Sequence, residues 1–363
     1  MITLKTSWIF IDLCVWSYYE SDIASVRNFR EDIVKNKTFK AFIVEESSDK
    51  IFSHGIKEAS IDDLPQGEVL IRVNYSSLNY KDALSASGNK GVTRKYPHTP
   101  GIDASGIVEH SQTKNFKKGD PVIVTSYDLG MNTPGGFGQY IHVPANWVVP
   151  LPKGLSLEQS MILGTAGFTA AMSVERLVSG VSPDQGTILV TGATGGVGSL
   201  AVAILVKLGY GVAGVSGKPD TGFLKGLGAK EIIARDTFLE DSAPLLLKPR
   251  WAGVIDTVGG NILATAIKST HEGGIVTCCG NVSSPDLPIN VFPFILRGIS
   301  LFGIDSQHCH MALRQRLWRN LSTDWKPDNL ESLSSKIGLK DLGPSIGLIL
   351  KGQLKGRTLV DLG

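Results

Sequence analysis

The densest chemistry in the sequence lies in one glycine run, Gly192-Ala193-Thr194-Gly195-Gly196-Val197-Gly198. Ile188 to Val190 precede it as an apolar run suited to a buried parallel strand. Ser199 to Leu208 follow with Ala, Val, Ile and Leu at helical spacing, and Gly209 closes that helix. Gly211 to Val215 supply the next strand. Between a strand and a helix, such glycines let a pyrophosphate reach backbone N–H groups at the helix N-terminus. The helix dipole favours anions there, and a Cβ would hold the ligand off. The alternative is a plain tight turn, since the spacing is not the common G-x-G-x-x-G. No Gly-Lys-Ser/Thr follows, which argues against a P-loop.

The tip of the second strand discriminates between dinucleotides. An NAD site usually places Asp or Glu there for the ribose 2′-OH. This chain has Ser216-Gly217-Lys218. A hydroxyl and a cation suit a 2′-phosphate, so the cofactor is read as NADP(H). Arg235, after the strand Glu231 to Ala234, is a second cation for the same phosphate. The alternative for Lys218 is an ordinary solvated lysine, and Asp220 close by weakens the cationic character.

These groups need a scaffold, and 363 residues suffice for two domains. A formal net charge of +2 gives no nucleic-acid or membrane-surface footprint. Cys14, Cys278, Cys279 and Cys309 show no C-x-x-C spacing, which points to a reducing compartment without disulfides or a zinc ribbon. No apolar run is long enough to span a bilayer, so a cytoplasmic protein is expected. Met1 to Lys37 fits neither a signal peptide nor a transit peptide and reads as an extension outside the fold. From Thr38 onwards short strands alternate with turn signals, Phe39 to Glu45 and the alternating Gly67 to Tyr75 among them, as in a compact barrel. Ser156 caps a helix from Leu157, and Thr165 to Val178 reads as a second, apolar helix. Strand–helix alternation then runs to Ser300–Ile304, which predicts a doubly wound parallel sheet. Helices at 311–321 and 341–350 and a last strand at 356–360 complete the chain.

The order of a β-rich part, a dinucleotide fold and a return segment resembles the medium-chain dehydrogenase/reductase superfamily. SSLNYKDAL, Pro100-Gly101-Ile102-Asp103, GTAGFTA, VTGATGGVGS, the segment from Trp251 to Gly259, Pro293 to Arg297 and Gly356-Arg357-Thr358-Leu359-Val360 narrow the match. They look like the acrylyl-CoA reductase (YhdH/AcuI-type) family of the zinc-free, quinone-oxidoreductase-like branch, over Thr38 to Gly363. The resemblance implies a GroES-like β-rich barrel domain (38–160), a Rossmann NADP-binding domain (161–303) and a C-terminal segment (304–363) that completes the first, with 1–37 outside. Zinc-dependent relatives carry a cysteine where this chain has Asn79 to Asp82, and Gly-His-Glu where it has Gly101-Ile102-Asp103. No metal is therefore expected, and reduction of an activated C=C bond fits better than alcohol oxidation.

By the same resemblance, hydride passes from NADPH to Cβ of acryloyl-CoA and a proton reaches Cα, giving propanoyl-CoA. The protein supplies positioning and hydrogen bonds to the developing enolate. Tyr80, with Asn79 and Asp82, takes the catalytic place, and Tyr80 also meets the nicotinamide. Thr194, Gly195, Gly196 and Val197 hold the pyrophosphate; Ser216, Gly217, Lys218 and Arg235 hold the 2′-phosphate; Asn281, Ile295, Ser306 and Arg357 are further cofactor contacts. Lys218 stands where the family often has Arg, and Asn281 where an apolar residue is common. Structural readings remain open beside these: Asn79 and Asp82 as caps of the helix they begin, Tyr80 as a packed aromatic, and Asp103 as a residue that fixes its turn. His98, His308 and His310 lack metal spacing and read as loop or surface histidines. Lys90, Arg94 and Lys95 are candidate anchors for CoA phosphates. A quinone or enone/enal reductase is the alternative activity. A non-catalytic NADPH-binding protein is a third reading, disfavoured by the intact turn beside Asn79-Tyr80. A small-molecule substrate and a homodimer through the cofactor domain's edge strand are expected.

Overall fold

The computed structural model describes residues 37–219 and 221–363, so the extension expected over 1–37 lies, save for Lys37, outside the described residues. Strands β1 (Thr38–Glu46) and β2 (Phe52–Ser60) form a hairpin, and β3 (Val69–Leu78) leads into helix α1 (Tyr80–Ala86). Then come β4 (Asp103–Ser111), β5 (Pro121–Thr125), β6 (Tyr140–Val143), β7 (Val148–Pro150) and the long helix α2 (Leu157–Val178). The alternating part holds β8 (Ile188–Val190), α3 (Gly196–Lys207), β9 (Val212–Ser216), α4 (Gly222–Gly226), β10 (Glu231–Ala234) and α5 (Arg235–Leu239). It continues through β11 (Trp251–Asp256), α6 (Gly260–Lys268), β12 (Thr270–Cys278), α7 (Phe292–Arg297) and β13 (Ser300–Gly303). The chain closes with α8 (Met311–Ser322), β14 (Ser334–Gly338), α9 (Leu342–Leu350) and β15 (Arg357–Asp361).

Six strands form one parallel sheet in the order β10-β9-β8-β11-β12-β13. This is the doubly wound arrangement, and its order reverses between β8 and β11. All three residues of β8 are fully buried, as expected of a central strand covered by helices on both faces. The second sheet has the order β14-β15-β3-β4-β5-β7, with β6 also paired to β3. Its last strand, β15, lies antiparallel to β3, so the chain's end returns beside residues some 280 positions earlier.

The alternation read in β3 predicts one solvated face, yet Leu70 is 2% exposed. The β1–β2 hairpin covers that face, where Phe39, Ala41 and Tyr140 pack on Leu70. The inward face carries Val69, Ile71 and Val73 against Val122, Phe137, Ile141 and Val360.

Helix α2 joins the two sheets. Its N-cap Ser156 accepts the Gln159 N–H at 3.0 Å, and Gln159 reaches back to the Ser156 N–H. Gly164 interrupts the helix with φ 52° and ψ −157°. The two helices read from Leu157 and from Thr165 are thus joined end to end across one glycine. Met161, Phe168 and Leu177 of α2 lie in a core shared with Val190 of the parallel sheet, Leu200 of α3 and Leu359 of β15.

Candidate active site

The glycine turn sits at the carboxyl ends of β8 and β11, beside the reversal of strand order. Gly192 has φ +58°, and a Cβ on it would lie 2.3 Å from the Thr257 hydroxyl. The Gly195 N–H donates to the Gly192 carbonyl at 2.9 Å and closes the turn. Helix α3 starts at Gly196 with Gly195 as its cap, and no side chain among the described residues caps its first N–H groups. Those donors and the helix dipole fit a pyrophosphate. Across the switch point, the buried Asp256 carboxylate accepts from the Thr191 hydroxyl (2.6 Å) and the Gly259 N–H (2.8 Å) and so shapes the facing loop.

At the tip of β9, Ser216 Oγ lies 3.2 Å from Thr194 Oγ1 and accepts the Lys218 N–H at 3.0 Å. The Lys218 ammonium donates to the Leu354 carbonyl. Burial, and the charge of Lys355 after it, hold the Lys218 pKa below its usual value. The Arg235 guanidinium stands over Gly217, 3.3 Å from where a Cβ would be, and pairs with exposed Asp236 at 3.0 Å. Four of the residues assigned to the 2′-phosphate thus gather at one point, while Asp220 lies outside the described residues. Asn281 is exposed, with its Cα beside Gly259 at the switch point. Ile295 is 68% exposed on α7. Ser306 accepts the Thr169 hydroxyl at 2.9 Å, and its carbonyl accepts from Arg314.

Around Asn79 the polar groups are almost all buried. The Asp82 carboxylate accepts the Asn79 N–H and the Ile102 N–H, both at 2.8 Å. It thereby caps α1 and pins the neighbouring turn. The Asn79 side chain, a member of the capping box at the start of α1, also turns inward. Its Nδ2 donates to Asp103 Oδ2 at 2.8 Å, and its Oδ1 accepts from Arg357 Nη1 at 3.1 Å. Tyr80 is the outward member of the motif, 39% exposed. Lys81 bonds Gln307 Oε1 at 2.9 Å, and burial lowers its pKa.

Asp103 is wholly buried and does more than fix a turn. It accepts from Ser77 Oγ (2.6 Å), Thr165 Oγ1 (2.6 Å) and the Thr165 N–H (2.9 Å), so it caps the second half of α2. Arg357 is 3% exposed and stands 3.7 Å from Asp103. Its guanidinium, expected to contact the cofactor, donates to Ile162 O, Ser77 Oγ and Asn79 Oδ1. Asp103 thus faces one buried cation, and the charge of Asp82 acts on the same guanidinium. Burial first, and the charge of Asp103 second, push the Asp82 pKa up to about 7 against the pull of its hydrogen bonds. Burial lowers the Arg357 pKa, and both aspartates oppose that.

Sequence reasoning missed Ser77, Thr165 and Arg314. Ser77 and Thr165 lie inside SSLNYKDAL and GTAGFTA, but no local pattern in the sequence pairs them with Asp103. Arg314, fully buried, donates to Thr125 O and Ser306 O between the rings of Tyr127 and Phe168. It anchors the loop that begins with the left-handed residues Ser126 and Tyr127. Lys90 is engaged by Glu46 at 2.5 Å and lies over the Tyr96 ring. The Arg94 N–H donates to Asn132 across the same rim. His98 is buried, not a surface histidine, because its backbone pairs with Val44 of β1. His308 is exposed and bonds Asp305.

Two family profiles match the chain, one described as "Alcohol dehydrogenase GroES-like domain" over residues 65–153 and one as "Zinc-binding dehydrogenase" over 196–323. Acrylyl-CoA reductase AcuI of Ruegeria pomeroyi is 44% identical over 328 residues, 89% of this chain and 99% of that protein. The chain belongs to the acrylyl-CoA reductase (YhdH/AcuI-type) family. Within this medium-chain dehydrogenase/reductase family, the yhdH oxidoreductase of Salmonella enterica, solved in complex with NADP, is 41% identical. It superposes with a TM-score of 0.86 over 89% of this chain and 99% of its own. YhfP of Bacillus subtilis, provisionally named a quinone oxidoreductase, is 43% identical over 89% of this chain and 99% of that protein. Its structure, solved with NAD bound, has a TM-score of 0.87 over 90% of this chain and 100% of its own. Among the described residues, no three His, Cys, Asp or Glu side chains gather as a metal site.

Proposed function

We propose that this enzyme uses NADPH to reduce the activated C=C bond of acryloyl-CoA, giving propanoyl-CoA. The observation that carries the reading is Arg357, which lies against the helix start at Gly196 and bonds Asn79, in a chain 44% identical to an acrylyl-CoA reductase over 89% of its length. NADP(H), when bound, supplies the hydride. The N–H groups around Gly196 and Val197 take the pyrophosphate, and Ser216, Lys218 and Arg235 take the 2′-phosphate. Tyr80 is the group left exposed to meet the nicotinamide and the substrate carbonyl. Asn79 and Asp82 have their polar atoms engaged inside, so they position Tyr80 and do not touch substrate.

The domain division at 160 and 303, a cytoplasmic location and a homodimer belong to the same reading. Among the described residues, no helix is long and apolar enough to cross a membrane. The dimer is supported by the apolar side chains left exposed at the edge of the parallel sheet, Val291, Ile295 and Leu296 on or beside α7 and Phe302 on β13.

NADPH oxidation, followed at its absorbance band with acryloyl-CoA, crotonoyl-CoA and a simple quinone, tests the activity, with NADH as control. Fast turnover of acryloyl-CoA with NADPH is the expected result. Turnover of the quinone alone moves the enzyme to the quinone or enone reductases, the reading favoured by the likeness to YhfP.

A further inference from the structure

We propose that Asp103 and Arg357 form a positioning couple that sets the Asn79-Tyr80 helix against the glycine turn; this rests on the functional reading above. One guanidinium reaches every element that must stay in register. Nη2 bonds Ser77 at the end of β3 (2.8 Å), Nη1 bonds Asn79 at the start of α1 (3.1 Å), and Nε bonds the Ile162 carbonyl before the Gly164 break (3.0 Å).

On its other side Arg357 lies against the turn, since a Cβ on Gly196 would stand 3.0 Å from Nη1. The residue before it completes the joint, as the Gly356 N–H donates to the Thr194 carbonyl at 3.0 Å. Asp103 faces the guanidinium and binds three of the same parts, Ser77, Asn79 and Thr165. The Asn79 amide takes its shortest contacts from this pair, its oxygen toward the cation and its nitrogen toward the carboxylate, with the Ser77 carbonyl (3.2 Å) and Asp82 Oδ2 (3.3 Å) as longer partners of the nitrogen. The distance from Tyr80 to the nicotinamide is therefore set through a planar fork that lysine cannot reproduce.

The experiment compares Arg357→Lys with wild type, and adds Ser77→Ala, which removes a hydroxyl bonded to both members of the couple without removing a charge. Three quantities are read: the melting temperature, the NADPH dissociation constant by nucleotide fluorescence, and kcat with its isotope effect from deuterated NADPH. The acceptor is whichever of acryloyl-CoA, crotonoyl-CoA or the quinone the wild type reduces. Misplacement by about 1 Å predicts a kcat loss on the order of 100-fold for Arg357→Lys. Ser77→Ala loses less, about threefold to tenfold. In both, NADPH binding stays within about threefold and the isotope effect rises as hydride transfer becomes limiting.

An unchanged kcat in a folded Arg357→Lys or in Ser77→Ala overturns the proposal. So does NADPH binding weakened tenfold or more with kcat unchanged, which would make Arg357 a direct cofactor ligand. A wild type that reduces none of the acceptors refutes the functional reading instead. The couple is then judged on crystals of NADPH-bound Ser77→Ala, where a shift of α1 relative to the turn supports it and superposition refutes it.

Discussion

Replacing Gly164 by alanine should damage this protein more than its single methyl group suggests. At φ 52° and ψ −157° the backbone lies outside what L side chains adopt, which costs about 1–3 kcal/mol. The methyl would also stand 2.4 Å from Asp103 Oδ2, 2.7 Å from Ser77 Oγ and 3.0 Å from Arg357 Nη2. None of these can yield cheaply, because Asp103 is fixed by Ser77, Asn79 and Thr165 in a fully buried setting. Displacing a buried, paired charge costs about 3–5 kcal/mol. The sum, about 4–8 kcal/mol, is comparable with the whole stability of a typical domain. Differential scanning fluorimetry should show a fall of the melting temperature on the order of 10 °C, or no soluble protein. The control is Gly347→Ala in α9, where nothing lies within 4 Å of the new methyl, and helix propensity predicts a gain of about 1 kcal/mol. A Gly164→Ala protein that melts within about 2 °C of wild type would refute the account of a helix broken to make room for a carboxylate.

Asp82 predicts a pH dependence. Its pKa is raised in the folded chain, from 3.8 to about 7, so the native state holds a proton that the unfolded chain releases. The stability this provides is complete below about pH 4 and is lost as pH rises through 7, by at most about 4 kcal/mol. Urea titrations from pH 4 to 8 should show that fall in wild type and a flatter profile in Asp82→Asn; parallel profiles would remove Asp82 as its source. Lys218→Ala should raise the NADPH dissociation constant about tenfold and leave NADH binding unchanged, with isothermal titration of 2′,5′-ADP as the direct check. Arg314→Met removes the donors to Thr125 O and Ser306 O and should cost about 2–4 kcal/mol, read from the denaturation midpoint, although both aromatic faces stay covered.

Local pattern carried much of this protein. The turn from Gly192 to Gly198, the strand and helix around it, the Ser156 cap and the strand at the chain's end each rest on the backbone needs of a few neighbouring residues, which short stretches state directly. The tip of β9 was legible for the same reason, since Ser216, Gly217 and Lys218 are consecutive. The hairpin-covered side of β3 was not, because burial there comes from a hairpin that a strand's own alternation cannot reveal. The couple of Asp103 with Arg357 was even less legible. Its members lie far apart in the chain, and only the antiparallel return of β15 onto β3 brings them within 3.7 Å. Asn79 and Asp82 could be read as helix caps, and Asp82 is one. That the same pair would share a dry site with a second carboxylate and one cation depends on how much water the packed elements exclude. Burial sets the charge balance of that site, and burial is a property of the assembled sheets and α2, not of any stretch of sequence.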